Sequence, residues 1–538
     1  MLFWNSTASA YEKFERSGNI SYLYQMETFD LVIVLIYFGI LTVLSFYGLH
    51  RYLMVFLYYK YRKHVVTPQA QFEELPRVTV QIPSYNEMYV IERVIDAVCA
   101  FDYPCERMDI QVLDDSSDET RKIARDAVRK WANLGMDIQY IHRANRTGFK
   151  AGALENGLRT AKGEFVAIFD ADFVPDADFL KKTIHFFTDP EVGMVQARWE
   201  HINRKYSFLT KAQAMFLDGH FMLESGTRFL SGRFFNFNGT AGILRRRTIE
   251  EAGGWEHDTL TEDLDLSYRA QMKGWRFVFL AHVPVAAELP VEIRSYKTQQ
   301  CRWAKGAMQT CKKVLPQMLC GDYSPAEKLE AWYHLTGNVT YPLMIALSVV
   351  LLPALIVRFN QGWFELLTID LPLFILSFSS VSCFYITSQK ILHKDWLRRL
   401  LYLPGLMALG IGMTISGSKA VLEGALGIQT PFVRTPKFSL AGSKDEWRNK
   451  KYRSHFSILA LVEIAFGLYF TFVIFFALDM RLYAVIPFLL LFQVGFLYTG
   501  LGSLGQGLKG TNFNLFLPRH LNYARQPSAP LSQRSSRN

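Results

Sequence analysis

The chain falls into three stretches of contrasting hydrophobic pattern. Leu31 to about Leu57 is nearly all apolar, interrupted by His50 and Arg51 and followed by Lys60, Arg62 and Lys63. At about 1.5 Å per residue such a helix crosses a bilayer with its basic end at the headgroups. From about Glu73 to Lys328, runs of period 2 alternate with runs of period 3.6, the pattern of a soluble domain. Apolar segments then recur at Tyr341–Val357, Leu366–Ile386, Phe456–Leu478 and Leu482–Leu501, giving five expected spans. Leu400–Ile415 is apolar too, but it carries Pro404 and several glycines, and Lys/Arg-rich stretches flank it at Lys390–Arg399 and Lys419–Arg453. Positive residues favour the cytoplasm, so both flanks are expected inside and this segment is read as interfacial or re-entrant; a full span is the alternative.

Within the soluble stretch the order is strand Val78–Ile82, helix Met88–Ala100, strand Ile110–Leu113, helix Asp118–Trp131, strand Ile138–Ile141, helix Lys150–Thr160 and strand Phe165–Phe169. Val90, Ile91, Val94, Ile95 and Val98 share one face of the first helix. This order predicts an α/β fold, a mostly parallel sheet with helices on both faces, inserted between transmembrane helices. Four units follow: a leader with the first span (1–72), the α/β domain ending in an interfacial helix (73–328), a membrane region (329–518) and a basic tail (519–538).

Charge changes the picture little. Lys and Arg exceed Asp and Glu by 59 − 49 = 10 among 538 residues. The excess lies mostly in membrane-flanking loops and the tail, so it reads as a topology signal and not as a nucleic-acid surface. A hydrophobic fraction of 50% and a mean hydropathy of +0.07 fit an integral membrane protein. The six cysteines contain no CxxC pair, which excludes a zinc site of that type and suits a reducing compartment.

In open α/β sheets ligands bind beyond the carboxyl ends of the strands. Here those ends read Pro83-Ser84-Tyr85-Asn86-Glu87, Asp114-Asp115-Ser116-Ser117-Asp118 and Asp170-Ala171-Asp172. Carboxylates at i and i+2 share a face, and a hard divalent ion bridging to phosphate relieves their repulsion. A lone Asp-x-Asp is more often a turn or a cap, but three acidic strand ends together weaken that reading.

With Thr261-Glu262-Asp263 and Gln299-Gln300-Cys301-Arg302-Trp303, these segments appear in the order seen in family-two glycosyltransferases, and the sequence resembles their membrane-embedded, cellulose-synthase-like branch. Arg146–Leu154 and Phe237–Ile243 look closer still to bacterial β-glucan synthases and plant glucomannan mannosyltransferases. The resemblance implies a GT-A-type domain that transfers a hexose from a nucleotide sugar with inversion, using Mg²⁺ or Mn²⁺. It implies Asp263 as the base with Glu262 beside it, and donor contacts from Ser84, Tyr85, Glu87, Asp114, Asp115, Lys150, Asp170, Asp172, Gln299 and Arg302. Asp172 would hold the metal. Trp303, Phe237, Asn238, Gly239 and Thr240 would meet the acceptor. Thr261 also reads as an ordinary helix cap, and Trp303 as an interfacial anchor.

Three positions depart from the pattern. Asn238 stands where cellulose synthases carry Cys; Phe173 follows the second aspartate where His is common; and in Phe432-Val433-Arg434-Thr435-Pro436-Lys437, Arg434 replaces the Val of the gating-loop motif. Thr435 and Lys437 remain as lid residues implied by that motif. The expected activity is processive synthesis of a β-glycan, with the chain exported through a channel of the protein's own spans. Asn338, Tyr341, Ser379, Ser380, Ser382, Gln493 and Tyr498 are candidate channel residues. UDP-glucose is the preferred donor, with GDP-mannose, or a single-sugar transfer to lipid, as alternatives. Partners are the nucleotide sugar, the growing polysaccharide and the bilayer, with room for accessory export subunits. The catalytic domain is expected on the cytosolic side of a plasma or inner membrane.

Overall fold

The computed structural model describes residues 27–64, 66–360, 367–430, 432–440 and 458–505. The basic tail and the first two residues of the expected Phe456–Leu478 span lie outside them.

Eight strands form one sheet in the order β3-β2-β1-β4-β7-β6-β8-β5. β1 (Val78–Ser84) pairs in parallel with β2 (Met108–Asp114) from Val78 opposite Met108 to Ser84 opposite Asp114. β3 (Ile138–His142) and β4 (Phe165–Ile168) flank them in parallel. This register brings Ser84, Asp114 and His142 to one edge, just where the acidic segments leave the sheet. Val90, Ile91, Val94, Ile95 and Val98 have no exposed surface, so the apolar face of the Ile91–Cys99 helix is fully spent on the sheet. Beyond β4 the sheet is mixed. β7 (Gly242–Arg245) runs antiparallel to β4 and to β6 (Val192–His201), while β8 (Arg276–Ala287) is parallel to β6 and antiparallel to the short β5 (Phe173–Val174).

Among the described residues four helices are long and apolar enough to cross a membrane: Thr28–Tyr61, Pro325–Arg358, Leu459–Asp479 and Tyr483–Gly505. The helix Leu367–Leu392 covers most of the expected Leu366–Ile386 span but is not among the four. The Leu400–Ile415 segment is a broken helix: Trp396–Gly412 and Thr414–Ala425 meet at a bend of 45°. Gly412 and Gly495 let that break pack closely, since a Cβ on Gly495 would sit 2.2 Å from the Ala408 carbonyl.

Some of the polar residues considered for a channel pack helices together instead. Ser379 Oγ receives the Tyr52 hydroxyl at 2.7 Å, Ser380 is buried under Gly48, and Gln493 donates to Thr471 at 2.7 Å. The six cysteines are free thiols.

Candidate active site

The long helix Ile293–Cys320 carries Gln299, Arg302 and Trp303 across the strand ends, and its docking explains why Thr261-Glu262-Asp263 faces them. Gly306 allows the contact: a Cβ there would lie 2.6 Å from the Thr261 methyl. The Thr261 hydroxyl meets that of Thr310 at 3.3 Å, and the Leu260 amide donates to Gln309 Oε1 at 2.9 Å. Thr261 occupies the cap position of the Glu262–Met272 helix, yet its side chain makes no capping hydrogen bond. The plain capping explanation for this threonine therefore fails, and its hydroxyl serves helix docking.

These elements border an open cleft of about 1240 Å³, part of it bulk solvent. Ser84, Tyr85, Glu87, Asp115, Lys150, Asp170, Asp172, Asn238, Gly239, Glu262, Asp263, Gln299, Arg302, Trp303, Thr435 and Lys437 all line it. Three expected residues do not. Asp114 is fully buried beneath the wall, accepting from the Tyr140 hydroxyl at 2.6 Å and the Ser116 amide at 3.2 Å. Phe237 is 1% exposed and packs in the core against Gly242. Thr240 is fully buried and accepts from the Asp170 amide at 2.9 Å. Their geometry suits shaping the wall, because an apolar ring and a hydroxyl with no exposed surface at those depths cannot meet a sugar.

The wall is held in costly backbone conformations. Asn86, Phe149 and Ala241 have φ of 56°, 49° and 54°, in the left-handed region that residues with a Cβ rarely adopt. Gly239 has φ of 78°, and a Cβ there would lie 2.9 Å from Asp263 Oδ2 and 3.3 Å from Lys150 Nζ. Its carbonyl accepts from Lys150 at 2.8 Å, and Lys150 also reaches Asp170 at 2.5 Å. Burial pushes the Asp263 carboxyl up to about 7, Glu262 adds to the rise, and Lys150 and Arg302 oppose it. Burial lowers the Lys150 ammonium, but Asp170, Glu262 and Asp263 outweigh it and the net shift is upward. A carboxyl poised near neutrality beside two cations is suited to take up and release a proton.

Residues 76–306 match the family described as "Glycosyltransferase like family 2". Over that segment the chain is similar to family-two glycosyltransferases. Its relatives include glucomannan 4-β-mannosyltransferase 1 of Cyamopsis tetragonoloba, 38% identical over 319 residues that cover 58% of this chain and 61% of that one. Probable glucomannan 4-β-mannosyltransferase 3 of Oryza sativa subsp. japonica is 45% identical over 249 residues, 45% of each chain. The chain thus spans about half the length of the curated relatives it matches. Among solved structures it is similar to the mannosyltransferase PcManGT from Pyrobaculum calidifontis in complex with GDP-Man and Mn²⁺, at 21% identity and a TM-score of 0.47, over 72% of this chain and 99% of that one.

Several residues at the glycosyltransferase cavity carried no obvious sequence signal. Arg143 clamps Asp115 with two bonds, at 2.8 and 2.5 Å, while Arg146, which opens the Arg146–Leu154 block, lies 3.4 Å above the Tyr85 ring. Glu288, buried just after β8, is brought to the cavity by the pairing of Phe173 with Ala287. A carboxylate is thereby placed beside the segment where Phe173 offers no ligand. Phe432, Arg434, Thr435 and Lys437 line the same cavity. Phe432 sits between Phe149, Arg146 and Arg302. Arg434, the departure from the motif, forms a two-pronged pair with Glu87 at 2.9 and 3.0 Å. Thr435 is buried, and Lys437 binds Asp172 at 2.6 Å.

Whether a divalent cation fits can be tested on these contacts. Asp172 lies close enough to Glu87 and Glu288 for its charge to raise both carboxyls, whose main perturbation is burial; Glu87 reaches about 7. Asp172 is the oxygen donor here that suits Mg²⁺ or Mn²⁺ bridging to phosphate; Glu87 is paired with Arg434, and among the described residues the three carboxylates do not converge within reach of one ion. A second acidic group, Glu256, Asp258 and Asp265, is instead cross-braced by Lys313, which pairs with all three.

Two expectations follow. Removing the Lys437 ammonium leaves Asp172 facing like charges, so Lys437→Met tightens Mn²⁺ binding without nucleotide by about tenfold, measured by titration. Gly239→Ala drives a methyl toward Asp263 in a backbone region that alanine avoids; sugar transfer falls about 100-fold while nucleotide affinity holds, measured by initial rates and equilibrium binding.

Proposed function

We propose that the chain is an inverting mannosyltransferase that uses GDP-mannose to extend a β-mannan or glucomannan from the cytosolic side of a membrane. The mannosyl donor, the alternative to the preferred UDP-glucose in the reading of the sequence, is taken because curated relatives at 38% and 45% identity are named for mannosyl transfer. The chemistry rests on one observation: Asp263, raised to about 7, lies against Gly239 and within the field of Lys150 and Arg302 in a cavity lined by Trp303.

Asp263 takes the proton of the acceptor hydroxyl as its oxygen bonds to the anomeric carbon and the bond from that carbon to the diphosphate breaks on the opposite face. Arg302 offers a planar pair of donors to the departing diphosphate. Trp303 presents a flat apolar surface to the acceptor ring. Asp172 would hold a divalent cation that neutralises charge on the leaving group.

The test is to incubate purified protein in lipid with labelled GDP-mannose, UDP-glucose or UDP-GlcNAc plus Mg²⁺ or Mn²⁺, then digest the product with β-mannanase or β-glucanase. Mannanase-sensitive label from GDP-mannose is expected. Glucanase-sensitive label from UDP-glucose alone would overturn the donor assignment, and a product one sugar long would overturn chain extension.

A further inference from the structure

Behind the cavity wall a polar row leads toward the membrane helices, and none of its members is used in the chemistry above. The helix Phe208–Gly219 runs into a wide π-turn, His220–Ser225, a geometry found mostly where a side chain must be re-aimed. Gly219 allows this turn to press on the Leu367–Leu392 helix, since a Cβ there would meet Phe384 at 2.6 Å and Tyr385 at 2.8 Å. The turn sets His220 and Glu224 facing one another, Nδ1 to Oε2 at 2.8 Å, and places His220 Nε2 3.0 Å from Asn238 Oδ1. Asn238 lines the cavity next to Gly239, and therefore next to the base.

We propose that His220 and Glu224 form a positioning dyad that aims the Asn238 carboxamide at a hydroxyl of the acceptor sugar; this rests on the glycosyltransferase reading above. Burial favours the neutral form of Glu224, but the His220 hydrogen bond and charge and the charges of Arg228 and Arg51 outweigh it, so the carboxylate is ionised. As an imidazolium, the one form with a hydrogen on both ring nitrogens, His220 donates from Nδ1 to that carboxylate. Asn238 Oδ1 already accepts from Asn236 Nδ2 at 3.2 Å, and the pattern is complete when Nε2 of His220 donates to the same oxygen. With its oxygen held by two donors and its backbone amide donating to Gln196 Oε1 at 2.9 Å, the Asn238 amide cannot turn over. Its Nδ2 makes one long contact, 3.4 Å to the Asn236 carbonyl, which leaves a hydrogen to offer an acceptor oxygen. A cysteine at this position could not be oriented in this way, because it lacks a carboxamide. The dyad thus gives a chemical reason for Asn238.

Binding, and not only turnover, reads this out. Affinities of wild type, His220→Leu and His220→Gln are measured for β-1,4-mannotetraose, through Trp303 fluorescence, and for GDP by calorimetry. His220→Leu is expected to weaken mannotetraose about tenfold with GDP affinity unchanged, as loss of one hydrogen bond plus orientation predicts. His220→Gln, which keeps a donor near Nε2, is expected to return to within about threefold of wild type. Unchanged mannotetraose affinity in His220→Leu, or no binding by wild type, overturns the proposal. If His220→Leu also loses GDP, Asn238→Ala decides, and unchanged mannotetraose affinity there overturns it. Failure of the donor assay with mannotetraose binding and its His220 dependence intact would sink the mannosyltransferase reading and leave the oligosaccharide subsite standing.

Discussion

Asp263→Asn lowers sugar transfer by about 10³-fold or more, while nucleotide affinity stays within about threefold, because the amide keeps the shape and loses the proton acceptor. The wild-type rate should rise with pH through about 7 and level above it, since the base works only when ionised and burial is what holds its proton to that point. The same burial makes a stability prediction with a definite sign. An aspartate in the unfolded chain ionises near about 4. In the folded protein Asp263 keeps its proton to about 7, so the folded state binds the extra proton across that window and loses stability as pH rises through it. Asp263→Asn removes the titration. Its melting temperature should exceed that of wild type by an amount that grows from pH 4 to pH 7 and then stays constant. A rise of equal size at every pH, or a variant with near-normal turnover, would remove Asp263 from this role.

The parallel half of the sheet was legible because β1, β2 and β4 are buried on both faces and the Ile91–Cys99 helix carries a clean apolar stripe. Val90, Ile91, Val94, Ile95 and Val98 announce a helix face as plainly as any pattern in the chain, and all five are fully buried. Beyond β4 the periodicity blurs. β6 and β8 bend at register shifts after Ala197, and β5 is two residues long, too short for any pattern to mark. The acidic strand ends could be found by type and order, since a strand register converts sequence position directly into place at an edge. What could not be found is what tertiary contact decides. Asp114 and Asp115 are neighbours, yet the pleat buries one against Tyr140 and turns the other into the cavity under Arg143. Phe237 and Thr240 share a motif with Asn238 and Gly239 but point into the core. Glu288 and His220 have no local signature, because each owes its position to a partner far away in sequence. Arg434 is the instructive middle case. The sequence shows a charge where an apolar residue is expected, and only the fold supplies its reason, the partly buried carboxylate of Glu87.

Arg302→Ala is expected to cut turnover about 10²- to 10³-fold with a far smaller change in donor KM, the pattern for a group that acts mainly on charge developing at the leaving diphosphate. Three features support so large an effect. Arg302 lines the cavity from a helix anchored by Gly306, Gln309 and Thr310, so its backbone position is fixed before substrate arrives. Its Nε is buried and makes no hydrogen bond among the described residues, so a donor is held in readiness at a place where leaving it unmet costs stability. Its guanidinium stacks 4.8 Å from the centre of the Phe432 ring, which orients the plane without using any of its N–H groups. Arg302→Lys keeps the charge and loses the fork and the stacking plane, so it should recover no more than about tenfold of the lost rate. Because the ring supports that guanidinium, Phe432→Ala should reproduce part of the defect by letting it wander, with turnover falling about tenfold. Single-turnover rates at saturating donor check all three variants. A defect confined to donor KM in Arg302→Ala would assign the residue to ground-state binding, and equal rates for Arg302→Lys and wild type would show that charge alone suffices.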